Sequence, residues 1–204
     1  MANYVFRTGG SDDPAAPLFL VFHGTGGDEN QFFDLAGELL PGGRIVAPRG
    51  DVSENGALRY FRRTGEGVYD MADLANRTET MIGFVREQQA GRSGKVVGLG
   101  YSNGANILAS ALFKAPDLFD ASVLMHPLIP FEPRAADFTG RKVLLTGGVR
   151  DPMAPAAMTE ALAEYFLRNG ADAQLVWHQG GHELRPEELR AAQQFLSPMA
   201  QIRA

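Results

Sequence analysis

Two periodicities alternate along the chain. Short apolar runs, rich in β-branched and aromatic residues, predict strands over residues 4–7, 18–23, 45–48, 95–100, 121–126, 142–147 and 174–178. Between them, apolar positions three and four apart predict helices over 29–40, 71–90, 103–114, 155–168 and 186–196. Leu18-Phe19-Leu20-Val21-Phe22 and Val143-Leu144-Leu145 show no polar alternation, which is the pattern of strands covered on both faces. Strands and helices in this alternation predict an α/β fold with a mostly parallel sheet and helices on both sides. Asp28 and Gln31 have the spacing of a capping box at the start of the first helix. Gly91 and Gly170 stand where the second and fourth helical patterns end. Residues 50–69 hold four glycines and no clear period. A structureless loop of that length inside a compact chain is commonly a lid or a binding loop.

Composition then narrows the function. A chain of 204 residues with 45% hydrophobic and 21% charged residues predicts one domain, spanning 1–204, with a substantial core. No internal repeat or linker interrupts it. The absence of cysteine rules out disulfides, thiolate metal sites and a thiol nucleophile. Nineteen basic against 24 acidic residues, a net charge of −5, is the wrong sign for a nucleic-acid binder. The cluster Arg59, Arg62 and Arg63 is too short to reverse it. The first residues lack the features of a secretory signal, and the apolar run 18–22 is far below the ~18–20 residues that span a bilayer. The expectation is a cytoplasmic protein without a membrane span.

Gly100-Tyr101-Ser102-Asn103-Gly104 carries the main chemical signal. In a Gly-x-Ser-x-Gly sequence between strand and helix, a sharp turn lifts the serine hydroxyl above the sheet. A predicted strand precedes it, and Ile107, Leu108, Ala111 and Leu112 follow on one helical face. By contrast, Gly91-Arg92-Ser93-Gly94 has no strand before it and reads as a loop.

A serine nucleophile needs a base. Of four histidines, His182 in Gly180-Gly181-His182-Glu183 lies in the loop after the last strand, at the edge of the sheet where α/β sites collect. His178 ends that strand, while His23 and His126 follow apolar runs and read as hydrogen-bonded structural groups. The His178 and His182 spacing resembles a zinc pair, but two intervening glycines speak against a helix there, and no metal is expected. Asp151, after the sixth strand, is the candidate to orient the imidazole; Asp117, Asp120 and Asp137 sit at helix ends and read as solvated or capping groups. The order Ser102, Asp151, His182 is that of the α/β-hydrolase triad. For the oxyanion, the candidates are the amide of Asn103, beside the nucleophile, and that of Thr25 in His23-Gly24-Thr25-Gly26-Gly27, with Gly24 in reserve. A phosphate-binding loop is the weaker reading of these glycines, because the P-loop lysine and dinucleotide spacing are missing.

These motifs, with Arg62-Arg63, Gly67-Val68-Tyr69-Asp70 and residues 148–152, resemble the small carboxylesterase/phospholipase branch of the α/β-hydrolases, which includes acyl-protein thioesterases. The likeness runs from about 17 to 196 and is nearest the bacterial subgroup associated with hydroquinone and catechol resistance. It implies an α/β-hydrolase fold without a large cap domain, no cofactor and a homodimer. It also implies Ser102, Asp151 and His182 as triad, with Thr25 and Asn103 as oxyanion hole. Gly26-Gly27 replaces the Gly-Asp pair usual in the eukaryotic thioesterases, which argues against a lipidated-protein substrate. From loop position, Phe61, Tyr69, Met153 and Leu184 are candidate pocket walls. The expected function is cleavage of small carboxylic esters through an acyl-enzyme. The alternatives are a thioesterase or lysophospholipase activity, or a non-catalytic binder of aromatic or quinone ligands.

Overall fold

The two-sided apolar runs form the middle of one sheet. The computed structural model describes residues 4–200. In chain order its elements are β1 (Phe6–Gly10), β2 (Leu18–Phe22), α1 (Phe33–Leu39), β3 (Arg44–Pro48), β4 (Val52–Glu54), β5 (Ala57–Arg59), β6 (Arg63–Gly65), β7 (Val68–Tyr69), α2 (Met71–Gln89), β8 (Val96–Tyr101), α3 (Asn103–Lys114), β9 (Ala121–Met125), β10 (Lys142–Gly148), α4 (Ala156–Arg168), β11 (Asp172–His178) and α5 (Pro186–Leu196). Seven strands make the main sheet, in the order β1-β3-β2-β8-β9-β10-β11. All its pairs are parallel except β1 with β3.

Strand alternation divides the core in two. Leu18, Leu20 and Phe22 of β2 face a cluster that holds Met81 of α2, Leu108 of α3 and Phe166 of α4. Phe19 and Val21 of the same strand face the opposite cluster, with Ala36 of α1 and Phe195 of α5. Helices therefore cover both faces, which is why β2 carries no polar position. Among the described residues, no helix is long and apolar enough to cross a membrane.

Three expectations are corrected. The first strand lies at 6–10, not 4–7, because β1 pairs along β3 from Phe6 opposite Pro48 to Gly10 opposite Arg44. Glycine is tolerated there because a Cβ on Gly9 would sit 2.7 Å from the Phe33 ring. The first helix begins at Phe33 rather than at residue 29. Asp28 closes a turn onto the Asn30 amide, and the Gln31 side chain turns to the Gly24 amide instead of capping the helix. Residues 50–69 are not structureless: they fold as two antiparallel hairpins, β4–β5 and β6–β7. The glycine stops are realised, with Gly91 at φ +76° and Gly170 at φ +89°.

Candidate active site

Five neighbouring parallel strands each deliver one element of the site at their C-terminal ends. The loop after β2 carries His23 and Thr25, β8 runs into Ser102, β9 into His126, β10 into the Asp151 loop, and β11 into the His182 loop. Convergence at this edge of a parallel sheet is the general location of α/β sites.

Ser102 occupies a strained turn. Its φ of 52° and ψ of −117° place it outside the usual regions for an L-residue, directly before the first residue of α3. The flanking glycines make this possible. A Cβ on Gly100 would lie 2.5 Å from the Gly104 carbonyl oxygen, and one on Gly104 would lie 2.3 Å from that of Phe22. The Ser102 amide donates to the Met125 carbonyl at 2.9 Å, which ties the turn to β9.

The three side chains singled out by sequence order lie in a line. His182 Nε2 is 2.9 Å from Ser102 Oγ, and His182 Nδ1 is 2.7 Å from Asp151 Oδ2. The other oxygen of Asp151 accepts the amides of Met153 at 2.8 Å and Ala154 at 3.0 Å. Burial works against the charged carboxylate, but hydrogen bonds from His126, the Ala154 amide and His182 outweigh it and hold Asp151 below the usual range. The Tyr101 hydroxyl donates to the His182 carbonyl at 2.7 Å, anchoring the glycine-rich loop that carries the imidazole.

Backbone donors flank Ser102. The Asn103 amide opens α3, so it has no acceptor within the helix. In the loop after β2, Gly24 donates to Gln31, Gly26 to Leu58 and Gly27 to Gly24. Among the described residues, the Thr25 amide alone of these four donates to nothing. Gly24, the reserve donor, is engaged. His23 fixes this loop: its Nε2 accepts the Gly50 amide at 2.8 Å, and its Nδ1 donates to the Gly24 carbonyl at 2.7 Å. Burial lowers its affinity for a further proton.

The cleft above Ser102 is small, about 30 Å³, and predominantly polar. Tyr69 and Met153 line it, together with Arg59, Arg63, Glu66, Asn106 and Leu128. Phe61 is fully buried beneath, edge-on to Tyr69 at 4.8 Å, and Leu184 packs against the α1 and α5 side of the core. Neither presents a wall to the cleft. The sequence shows Arg59 and Arg63 as part of a basic cluster but not their place in the cleft, because residues 50–69 have no period from which their direction could be read. Arg59 Nη1 donates to Thr25 Oγ1 at 2.8 Å, so the β4–β5 hairpin braces the loop after β2.

Among the described residues, two groups bring His, Asp or Glu ligand atoms within 4.8 Å of one another: His126, Asp151 and His182, and His126, His178 and Glu188. Their protons argue for hydrogen bonding over metal binding. His178 Nδ1 accepts the Gly180 amide at 3.0 Å, so the ring proton sits on Nε2, the very atom that faces Glu188 at 3.2 Å.

With the geometry established, comparison with known proteins places the chain. Residues 10–186 match the model of the Dienelactone hydrolase family. The chain belongs to that family. MhqD of Bacillus subtilis (strain 168), which carries a hydrolase name, is 36% identical over 197 residues, covering 94% of this chain and 96% of its own. Atu2452 of Agrobacterium tumefaciens str. C58, a crystal structure of unknown function, is 52% identical, with a TM-score of 0.91 over 96% of this chain and 97% of its own. The Bacillus cereus carboxylesterase superposes with a TM-score of 0.90 at 32% identity, covering 97% of this chain and 95% of that structure. The fold is therefore that of the α/β-hydrolase carboxylesterases, and this dienelactone hydrolase family member is a hydrolase of that type.

Proposed function

We propose that the protein is a single-domain serine esterase that cleaves small carboxylic esters through an acyl-enzyme. The observation that carries this reading is the unbroken line Ser102 Oγ, His182 Nε2, His182 Nδ1, Asp151 Oδ2, at 2.9 and 2.7 Å. Ser102 Oγ attacks the ester carbonyl as its proton passes to His182 Nε2, and Asp151 holds the imidazolium that forms. The Thr25 and Asn103 amides receive the oxyanion. Collapse expels the alcohol, which takes the proton from His182. Water, activated by the same imidazole, then releases the acid and restores Ser102.

The size and polarity of the cleft support short, polar acyl groups over the long chains of a lysophospholipase. The name of the Bacillus cereus relative supports ester substrates. Ser102→Ala deletes one oxygen and no core volume. It is expected to lower kcat on 4-nitrophenyl acetate by at least ~10⁴-fold while the thermal transition stays in place. A fluorophosphonate probe is expected to label Ser102 in the parent protein. Near-normal turnover by the purified variant, or no adduct on Ser102, would overturn the reading and favour a binding protein on the same scaffold.

A further inference from the structure

Asp151 is bound by two imidazoles, not one. His126 Nδ1 lies 2.7 Å from the same Oδ2 that receives His182 Nδ1. The His126 side chain is completely buried, and its other nitrogen, Nε2, faces Glu188 Oε1 at 3.0 Å. Glu188, also fully buried, lies in the first turn of α5 and accepts the Thr146 hydroxyl at 2.6 Å and the Arg185 amide at 2.8 Å. Its Oε2 also faces His178 Nε2, which must carry the ring proton.

The partners of the two carboxylates point to the charge of His126. A carboxylate offers about four lone-pair positions. Those of Asp151 are taken by the Met153 and Ala154 amides, His126 and His182. Those of Glu188 are taken by Thr146, His126, His178 and the Arg185 amide. The hydrogen bonds they accept hold both carboxylates below the usual range against the opposing effect of burial and so favour their ionised forms. An imidazole held between two ionised carboxylates donates a proton to each. The groups facing His126 are two anions, His178, and the His182 and Tyr101 rings in edge contact. His178 Nε2 lies 3.4 Å from His126 Nε2, but each nitrogen is nearer a Glu188 oxygen, at 3.2 and 3.0 Å, so both direct their protons to that carboxylate rather than to each other.

Given the triad reading above, we propose that His126, clamped as an imidazolium by Glu188, is a positioning residue that holds the Asp151 carboxylate and offsets part of its charge, setting the pH range over which His182 works. The direction of its proton affinity agrees: burial alone would lower it, but the hydrogen bonds to Glu188 and Asp151 prevail and raise it. Without the His126 cation, the full charge of Asp151 would face His182 and favour its protonated form, which is inactive as a base.

The test is the pH profile of kcat/KM on 4-nitrophenyl acetate for His126→Gln and Glu188→Gln. Both are expected to move the acid limb to higher pH by about one unit, the effect of an opposite charge a few ångströms away. A purely structural role would lower the plateau and leave the limb where it is, and that result in a folded variant would overturn the proposal. Should the variants fail to fold, ¹⁵N-histidine spectra of the parent protein decide. His126 is expected to be doubly protonated at about pH 6.5, where a free imidazole is half titrated, and a neutral signature there would overturn the assignment. Loss of activity to a chelator, reversed by zinc, would also overturn it, by putting a metal where the protons are placed. Failure of Ser102→Ala to abolish activity would instead refute the triad itself, so the two failures are distinct.

Discussion

At the scale of single residues, the decisive ones combine ordinary chemistry with unusual backbone. Ser102 and His126 both sit at φ 52°, one at the end of β8 and the other at the end of the adjacent β9. Each strand thus ends by turning a polar side chain out of the sheet at some conformational cost. Asp151→Asn checks the role of the acid. An amide selects the wrong imidazole tautomer and no longer stabilises the imidazolium, so kcat at neutral pH is expected to fall by ~10⁴-fold. Asp117→Asn and Asp120→Asn are expected to keep full activity; the reverse pattern would make another aspartate the partner of His182. The convergence of Ser102, Asp151 and His182 was legible in the sequence because motif, chain order and strand ends all point to one place. The place of His126 was not, since a histidine after an apolar run looks the same whether it bonds a carbonyl or a buried carboxylate. Glu188 was hidden for a related reason: at the third position of a helix it reads as a cap, and it does accept the Arg185 amide.

At the scale of elements, the hydrophobic pattern located six of the seven main strands within two residues at either end. The failures fall where side chains override local preference. β1 extends through Gly9 and Gly10 because pairing and the Phe33 ring favour the glycines, and α1 starts late because Gln31 is drawn to the Gly24 amide. The same physics makes the turn between β8 and α3 intolerant of change. In Gly104→Ala the new methyl would meet the Phe22 and His23 carbonyl oxygens, which belong to backbone and cannot swing away. The expected cost is about 3 kcal/mol in denaturant unfolding, with activity lost even in the folded fraction. An alanine at Gly83 meets nothing within 4 Å and is the matched control.

For the molecule as a whole, stability should follow the buried ion network. Asp151 and Glu188 are held below the usual carboxylate range against the opposing effect of burial. Their contribution is therefore complete above about pH 4 and is lost as pH falls through their native values. His126 is raised, so its contribution is complete below about pH 6.5 and is lost as pH climbs through its native value. The thermal midpoint is expected to be highest between those limits and to decline on both sides. Glu188→Gln should flatten the alkaline decline, because a neutral residue 188 no longer rewards protonation of His126. Midpoints measured by calorimetry across pH 3–9 would check both statements.

The hairpin formed by β4 and β5 has a consequence for timing. Its strand β5 accepts the Gly26 amide at Leu58 and binds Thr25 through Arg59, and the next residue, Tyr60, donates its amide to Asn103 Oδ1. A hairpin fastened both to the loop after β2 and to the start of α3 is not free to swing. Any excursion large enough to admit a bulky molecule would break the bonds that locate Thr25 and Asn103. Access to the cleft and the placing of these two amides are thereby coupled, and both amides are already in position in the resting protein. Deuterium should accordingly enter the Tyr60 amide as slowly as the central strands β2 and β8, while the exposed tip at Asn55 and Gly56 exchanges at once. Substrates then have to fit through a fixed entrance, and discrimination by size costs the catalyst no closing step.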